Sequence, residues 1–556
     1  MKNIELRVPK WRWLDANYKS LPKRKLLLGT ALLGGILMGL TPAPAGAWPL
    51  AWISLAPLWI LIINNTKYPI QNSGFQGNFP ALIGCLWGIG YNGLALFWIT
   101  GIHPMNWMGV PWLWSLAIAL FCWMVVTLWG AVLVAVWAWV MSLICSITTR
   151  GWVRIIVGVA LWCGLESFWN LGPLVWTSLS YTQSPHNLVI LHLSQLSGCN
   201  AVTAAIVAVN GLIAEAWIDN TNVQKNPRTS GLFRPGLLNC KYLYLAVGLL
   251  VSLHLIGFTL YSRTLMQSPL NALKIGIIQG NIPNEIKLSL QGKYRALDMY
   301  TSGYKFLANQ GVDAILTPEV ALPFLWENPR ANSNKFYQAV IEKGVVVWLG
   351  GYGTGEVREG LPRSLTTSLF TLTGKGEILS RYDKVHLVPL GESLPFEKTL
   401  GRLRLSPNKS LMLAGKSHQV FDTSFGRAIV GICFDSAFAE HFRTQAAAGG
   451  EFILTASNDA HYSAAMPAQH HAQDVMRAIE TNRWAVRATN TGYSAIVDPH
   501  GRTQWLSRLN TYQLHIGTIY RQQNPTFYVL WSDWLTPVLF VSSATALLID
   551  SFWRWD

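Results

Sequence analysis

Two long stretches of this sequence contain no charged side chain. The first runs from Leu26 to Thr66 and the second from Tyr68 to Thr149. A helix that crosses the hydrocarbon core of a bilayer needs about 20 predominantly apolar residues, and backbone in contact with lipid must satisfy its hydrogen bonds internally. The two stretches therefore predict several membrane-spanning helices in the first half of the chain.

Clusters of Pro and Gly at 41–47 and 101–111 divide these stretches into candidate spans. The predicted spans are 26–40, 48–63, 79–99, 112–144, 152–169, 188–217 and 242–260, with an eighth at 527–549. A retained first helix is favoured over a cleaved signal peptide because six further spans follow it before residue 262, in addition to the one at 527–549. The sequence predicts an α-helical transmembrane bundle of eight spans.

The basic residues predict how this bundle is oriented. Residues 1–262 hold 15 Lys and Arg but five Asp and Glu, and eight of the basic residues precede Leu26. With seven spans, the others fall on alternate loops, at Lys67, at Arg150 and Arg154, and within 225–241. The positive-inside rule then predicts a cytoplasmic N-terminus. Splitting 112–144 into two spans would break the alternation, so we expect one helix there.

The same distribution explains the net charge of +15 without nucleic acid. The basic residues encode topology and form no binding patch, so we expect a membrane protein that binds no nucleic acid. The region between spans seven and eight is predicted to lie outside the cytoplasm, and the C-terminus to return to it. The predicted organisation is a basic tail at 1–25, a membrane domain at 26–262, an external domain at 270–523 and a last span at 527–549.

The external domain alternates short apolar runs with amphipathic stretches, which is typical of an α/β domain. Strands are predicted at 273–279, 314–317, 345–349, 367–373, 378–382, 427–433, 452–457, 484–489 and 494–498, and helices at 289–309, 332–343, 438–448 and 467–482. Glu319, Lys384 and Cys433 stand at or just after strand ends, where functional groups of α/β sheets gather.

These three residue types form a complete set for acyl transfer. A carboxylate can take the thiol proton, the thiolate can attack a carbonyl carbon, and an ammonium together with the backbone N–H after the cysteine can stabilise the oxyanion. Taken singly, Cys433 could be a buried core residue, Glu319 a loop carboxylate and Lys384 a solvated strand residue. Spacing alone does not join them.

Other polar features carry less information. The spacing of His441, His461, His470 and His471 matches no zinc pattern, so we predict neither a metal nor a cofactor. The glycine-rich segment 350–355 lacks the helix and lysine of a phosphate loop and predicts a strand-end turn. Glu166, inside a predicted span, is expected to face the bundle interior or to lie near its outer edge, and it is a candidate functional carboxylate.

Local sequence does join the three residues. The segments Thr-Pro-Glu at 317–319, Tyr-Asp-Lys at 382–384 and Gly-Ile-Cys-Phe-Asp at 431–435 resemble the signature segments of the nitrilase superfamily. With flanking membrane spans, the chain resembles the bacterial apolipoprotein N-acyltransferases. Further segments that fit that family are 279–283, 386–392, 457–459, 469–470, 477–480 and 489–492.

This resemblance implies an α-β-β-α sandwich on the periplasmic side of the bacterial inner membrane. It implies a ping-pong reaction in which Cys433 takes an acyl chain from a phospholipid and passes it to the amine of a diacylglyceryl apolipoprotein. Glu319 would be the general base and Lys384 an oxyanion ligand. Glu392 would support the site.

Three positions depart from the family pattern as we expect it. Phe434 and Asp435 stand where Tyr and Glu are expected after the nucleophile, and Leu288 stands where a Trp that contacts substrate is expected. These departures bear on donor preference and rate more than on the chemistry. Two other functions stay open from the residues alone, namely a membrane-anchored carbon-nitrogen hydrolase acting on small amides and a non-catalytic membrane scaffold.

Overall fold

The computed structural model describes residues 12–67, 79–225, 241–328, 333–355, 364–389, 391–393, 412–460 and 462–555. The first half is helical, with α1 Arg12–Gly39, α2 Ala56–Lys67, α3 Phe79–Ala95, α4 Trp112–Ile147, α5 Gly151–Trp169, α6 Leu188–Leu191, α7 Ser194–Ser197, α8 Cys199–Lys225 and α9 Lys241–Tyr261. Short 3₁₀ helices at Trp48–Trp52, Phe97–Ile102, Asn106–Met108 and Leu179–Thr182 connect them.

Six helical segments of the described chain are long and apolar enough to cross a membrane. They are Trp48–Thr66, Trp112–Ile147, Gly151–Trp169, Cys199–Thr221, Lys241–Tyr261 and Leu535–Arg554, and two shorter apolar helical segments are Phe79–Ala95 and Leu188–Ser197. The prediction of one helix rather than two across 112–144 is confirmed, since α4 runs through 36 residues without a break.

Two predicted continuous spans are wrong. The span predicted at 188–217 is interrupted at Gly198, which has a left-handed φ of 67°, and the span at 527–549 is interrupted at Ser532, with φ 55°. A Cβ at Gly198 would lie 2.6 Å from the Tyr528 ring. The side chains of Ser197 and Asn200 donate to Asp533 at 2.9 and 2.5 Å, so the two interruptions are hydrogen-bonded to each other.

One basic residue that the sequence places on a loop is part of the bundle core. Arg154 lies in α5, is 2% exposed, and donates to both carboxylate oxygens of Glu215 at 2.8 and 2.5 Å. A buried charge is tolerated only when it is paired and hydrogen-bonded. This bidentate pair joins α5 to α8 and accounts for two of the few charges in the membrane domain.

The second half forms two six-stranded sheets. The strands are β1 Ala272–Gln279, β2 Ala314–Leu316, β3 Val346–Thr354, β4 Leu365–Leu372, β5 Ile378–Asp383, β6 Phe421–Thr423, β7 Gly426–Ile432, β8 Phe452–Ser457, β9 Ala485–Thr489, β10 Ala495–Val497, β11 Thr503–Leu506 and β12 Gln513–Tyr520. One sheet has the order β12-β1-β2-β3-β4-β5 and the other β11-β10-β9-β8-β7-β6. Strands β1 to β3 and β7 to β9 are parallel.

The sheets pack face to face through a buried apolar layer that includes Ile277, Trp348, Val430 and Leu454. Helices α10 Asn284–Lys287, α11 Leu290–Asn309 and α12 Lys335–Lys343 lie on the side of the first sheet. Helices α13 Ala439–Ala447 and α14 Ala465–Thr481 cover the second. This is the predicted α-β-β-α sandwich, and α15 Phe527–Trp531 and α16 Leu535–Trp555 follow it.

The sandwich also packs on the membrane helices. Tyr181 and Leu191 of the membrane domain and Val529 after the sandwich belong to the apolar cluster that surrounds α13 and α14. Apolar burial of this kind stabilises an interface roughly in proportion to its area. The helix layer that covers the second sheet therefore packs against the helical bundle.

Candidate active site

Cys433 stands on a sharp turn at the end of β7. Its φ of 51° lies in the left-handed region, which is uncommon for a residue with a side chain and concentrates at functional sites. A 3₁₀ helix, Cys433–Ala437, begins at the cysteine itself. The turn ends the strand and places the 5% exposed thiol residue at the carboxyl end of the parallel strands.

An ion triad centres on the buried Lys384, which follows β5. Its ammonium Nζ lies 2.9 Å from Glu319 Oε1 and 2.8 Å from Glu392 Oε2. Glu392 Oε2 also accepts from the Val388 N–H at 2.9 Å. The structure thus brings together three of the residues that the sequence predicts, although they lie up to 73 positions apart.

The charges of the triad act on the thiol. Burial and the neighbouring Glu319 carboxylate raise the pKa of Cys433 well above its ordinary value, against the opposite influence of Lys384. Burial alone would lower the pKa of Lys384, but Glu319 and Glu392 hold it well above the usual range. These directions favour a protonated thiol and a charged ammonium, so attack by sulfur would require a base.

Asp435 lies beneath the turn and is fully buried. Its two carboxylate oxygens accept hydrogen bonds from Ile432 N (3.0 Å), Tyr382 Oη (2.9 Å), and both N and Nδ1 of His386 (each 2.8 Å). Burial raises the pKa of Asp435, but His386, His441 and the Ile432 N–H together lower it to about 2. Asp435, which the sequence predicts as a supporting or substrate-binding residue, thus ties the turn at Cys433 to β5 and to the segment that follows it.

His470 supports the turn from the opposite side. This fully buried residue of α14 contacts the Cys433 carbonyl oxygen through Nε2 at 2.8 Å and Asp459 Oδ1 through Nδ1 at 3.2 Å. His441 instead contacts Tyr382 and the Val430 carbonyl oxygen, and His471 contacts Thr503. His461 lies outside the described residues. In the described part of the chain no group of three or more His, Cys, Asp or Glu side chains could hold a metal ion.

Lys287 and Leu288 lie at the end of the short helix α10. Leu288 caps α10 and is 56% exposed, and its contact with substrate stays a prediction. Lys287, which the sequence interpretation missed, is buried and donates from Nζ to the Glu319 carbonyl oxygen at 3.1 Å. Burial lowers the pKa of Lys287 to about 8, against the opposing influence of Glu319 and Cys433. The one feature of the sequence that could have pointed to Lys287 is its position, four residues after the family segment 279–283.

Comparison with known proteins covers both halves of the chain. A family model described as the apolipoprotein N-acyltransferase N-terminal domain matches residues 34–212, and a carbon-nitrogen hydrolase model matches residues 274–523. A protein of Nostoc sp. named apolipoprotein N-acyltransferase is 56% identical over 93% of this chain and 98% of its own length. The chain belongs to the apolipoprotein N-acyltransferase family.

A second member of the apolipoprotein N-acyltransferase family, from Synechocystis sp., is 45% identical over 92% of this chain and 98% of its own length. Among solved structures, an amidase from Nesterenkonia sp. shares 17% identity, with a TM-score of 0.35, over 48% of this chain and 96% of that chain. The family membership therefore rests on the whole-length relatives and on the two matching family models.

In this member of the apolipoprotein N-acyltransferase family, the membrane domain forms one wall of the site. The Phe434 ring stacks on Trp176, with ring centroids 6.2 Å apart and planes at 12°. Gln469, next to His470, accepts hydrogen bonds from the indoles of Trp98 at 3.0 Å and Trp176 at 2.7 Å. Phe434 and helix α14 are thus fixed to the membrane domain.

Glu166 lies close to this wall but belongs to the bundle. It is buried and accepts hydrogen bonds from Trp162 Nε1, Ser178 Oγ, Leu179 N and Thr203 Oγ1 at 2.8–3.0 Å. Four neutral donors satisfy the carboxylate, which fits the predicted inward-facing position. It fastens the segment that leads from Trp176 to the 3₁₀ helix Leu179–Thr182.

Proposed function

We propose that this chain transfers an acyl chain from a membrane phospholipid to the α-amine of a diacylglyceryl-cysteine at the N-terminus of an apolipoprotein. Whole-length similarity to relatives that carry the name apolipoprotein N-acyltransferase supports this assignment. The observation that carries it is the stacking of Phe434, next to the nucleophile, on Trp176 of the membrane domain. A reacting centre walled by membrane helices suits substrates that reside in the bilayer.

In the first half-reaction, we assign Cys433 as nucleophile and Glu319 as general base. The thiol proton passes to the Glu319 carboxylate while the sulfur bonds to the ester carbonyl carbon of the phospholipid. The Lys384 ammonium and the Phe434 backbone N–H stabilise the resulting oxyanion. The carbon–oxygen bond then breaks, and the proton on Glu319 passes to the departing lysophospholipid oxygen, which leaves an acyl thioester on Cys433.

In the second half-reaction, the α-amine of the acceptor attacks the thioester carbon. Glu319 accepts a proton from the attacking nitrogen, the carbon–sulfur bond breaks, and the thiolate regains a proton from Glu319. The products are an amide and the free Cys433 thiol. The hydrogen bonds of Glu392 to Lys384 and Val388 favour a role in holding the ammonium in place.

We also propose how the chain is arranged across the membrane. The basic tail 1–25 and the C-terminus would lie in the cytoplasm, the membrane domain 26–262 and the span 527–549 in the bilayer, and the catalytic domain 270–523 in the periplasm. The concentration of basic residues before Leu26 and near Arg150 supports this arrangement. Labelling of cysteines introduced in the tail 1–25 and on the surface of the catalytic domain 270–523 would report the two sides directly.

The donor half-reaction has a direct test. Purified protein incubated with a phospholipid of defined acyl chains, without acceptor, should gain the mass of one acyl chain on the peptide that contains Cys433. A Cys433→Ala variant should gain none, and Glu319→Gln should gain it far more slowly. An adduct on another residue, or an equal adduct on the Cys433→Ala variant, would refute the assigned nucleophile.

A further inference from the structure

The imidazole of His470 bonds to two acceptors at once. The Cys433 carbonyl oxygen, 2.8 Å from Nε2, can only accept a hydrogen bond, so Nε2 carries a proton. Asp459 Oδ1, 3.2 Å from Nδ1, accepts as well when the carboxyl group is ionised. Both residues are almost completely buried, so no bulk water completes either bond.

The surroundings of Asp459 favour its ionised form. Burial raises its pKa, but its contact with His470 and the charges of Arg487 and Lys384 bring it below the ordinary value. With an ionised Asp459, hydrogen bonds at both ring nitrogens of His470 need a proton on each nitrogen. The ring lies between these two acceptors, with Asp459 on one side, the Cys433 carbonyl on the other and the Trp176 ring 5.6 Å away.

The Cys433 carbonyl belongs to the same peptide group as the Phe434 N–H. A charged donor on a carbonyl oxygen draws electron density through the amide and strengthens its N–H as a donor. The Phe434 N–H is in the first turn of the 3₁₀ helix Cys433–Ala437, where backbone donors have no partner within the helix. Within the described residues, the Phe434 N–H donates to no backbone acceptor outside the helix either.

We propose that His470, held as an imidazolium by Asp459, is a positioning residue that polarises the Cys433–Phe434 peptide. The polarised Phe434 N–H then donates to the oxyanion that forms when Cys433 attacks an acyl carbonyl. This inference rests on the proposed function, since it assigns Cys433 as the nucleophile. It adds to that function a charged group, His470, behind the peptide whose N–H binds the oxyanion.

The expected kinetic effect falls on chemistry rather than on binding. His470→Gln keeps a neutral donor near the Nε2 position and removes the charge. We expect it to lower kcat about tenfold with KM unchanged, a part of the roughly 10²–10³ that loss of a whole oxyanion donor costs. Asp459→Asn removes the carboxylate that holds the charge and should act in the same direction. His471→Gln is the matched control, because His471 contacts Thr503 and not Cys433.

Selective isotope labelling reports on the Cys433–Phe434 peptide group directly. Cys433-Phe434 is the one Cys-Phe pair in the 556-residue sequence, so ¹³C-carbonyl cysteine with ¹⁵N-phenylalanine gives a single three-dimensional amide–carbonyl NMR signal. We expect the carbonyl ¹³C and amide ¹⁵N resonances to move upfield in His470→Gln and Asp459→Asn, and to stay in place in His471→Gln. The fall in kcat should follow the shift.

Two results would overturn the inference. One is an unchanged signal in both His470→Gln and Asp459→Asn, and the other is a shifted signal with an unchanged rate of Cys433 acylation. If His470→Gln does not fold, Asp459→Asn carries the comparison. Failure of the proposed function is distinguishable, because the wild-type protein would then form no Cys433 thioester, whatever the state of the peptide.

Discussion

Replacing Lys384 with Met should destabilise the catalytic domain as well as abolish turnover. The Lys384 side chain is 1% exposed and bonds to two carboxylates at 2.8–2.9 Å, so Lys384→Met removes the ammonium that lies between the buried Glu319 and the 22% exposed Glu392. Removing one partner of a buried ion pair costs about 3–5 kcal/mol. For a domain of this size that corresponds to a melting temperature lower by about 10 °C. Thermal unfolding in detergent, with a fluorescence readout, measures it.

A double variant tests the physical cause. Adding Glu392→Gln to Lys384→Met removes one of the two opposed carboxylates, so it should restore about half of the lost melting temperature while activity stays absent. Lys375→Met, at an exposed turn between β4 and β5, is the control and should change stability by less than about 0.5 kcal/mol. A melting temperature of Lys384→Met within about 2 °C of wild type would refute the reasoning.

Three further predictions follow from individual contacts. Gln469→Leu leaves the indoles of Trp98 and Trp176 without an acceptor and should cost about 1–3 kcal/mol per buried donor in thermal unfolding, with Gln473→Leu, a buried neighbour in α14, as the comparison. The pKa of Asp435, about 2 against 3.8 ordinarily, contributes about 2 kcal/mol of stability above pH 4, which is lost as pH falls toward 2. Asp435→Asn should therefore flatten the acid limb of a pH–stability curve. Gly198→Ala meets both a left-handed φ and the Tyr528 ring, and should cost about 1–3 kcal/mol, whereas Gly248→Ala, in open space, should not destabilise the protein.

Much of the sandwich could be predicted from local pattern. All nine predicted strands and all four predicted helices of the catalytic domain correspond to observed elements, because alternating apolar runs and amphipathic stretches carry strong local signals. Strands β6, β11 and β12 were missed. The first two have three and four residues, and β12 interrupts its apolar pattern with Gly517, so only pairing with neighbouring strands makes them extended.

The two broken spans show a different limit. Hydropathy measures whether a segment is apolar, and both 188–217 and 527–549 are apolar throughout most of their length. The interruptions at Gly198 and Ser532 depend on a tertiary hydrogen-bond pair between those segments, which no local window contains. Arg154 illustrates the same limit, since its partner Glu215 lies 61 positions away.

The site likewise combines residues that the sequence predicts with contacts that only the structure shows. Strand ends and the family segments bring Glu319, Lys384, Glu392 and Cys433 forward as candidates, and the structure places the first three in one ion triad. The sequence does not reveal that Asp435 is held in a buried hydrogen-bond network, nor that Lys287 is buried against Glu319. Those facts depend on side-chain direction, which the turn at Cys433 and the short helix α10 determine.

The fate of the acyl group on Cys433 tests the central claim most directly. A thioester is formed first with labelled phospholipid, excess donor is removed, and a synthetic diacylglyceryl-cysteine peptide is then added. The account predicts that the label moves to the peptide α-amine as an amide, and that the thioester persists far longer without peptide. Release of the label as free fatty acid at the same rate with and without peptide would contradict it and would favour a hydrolase.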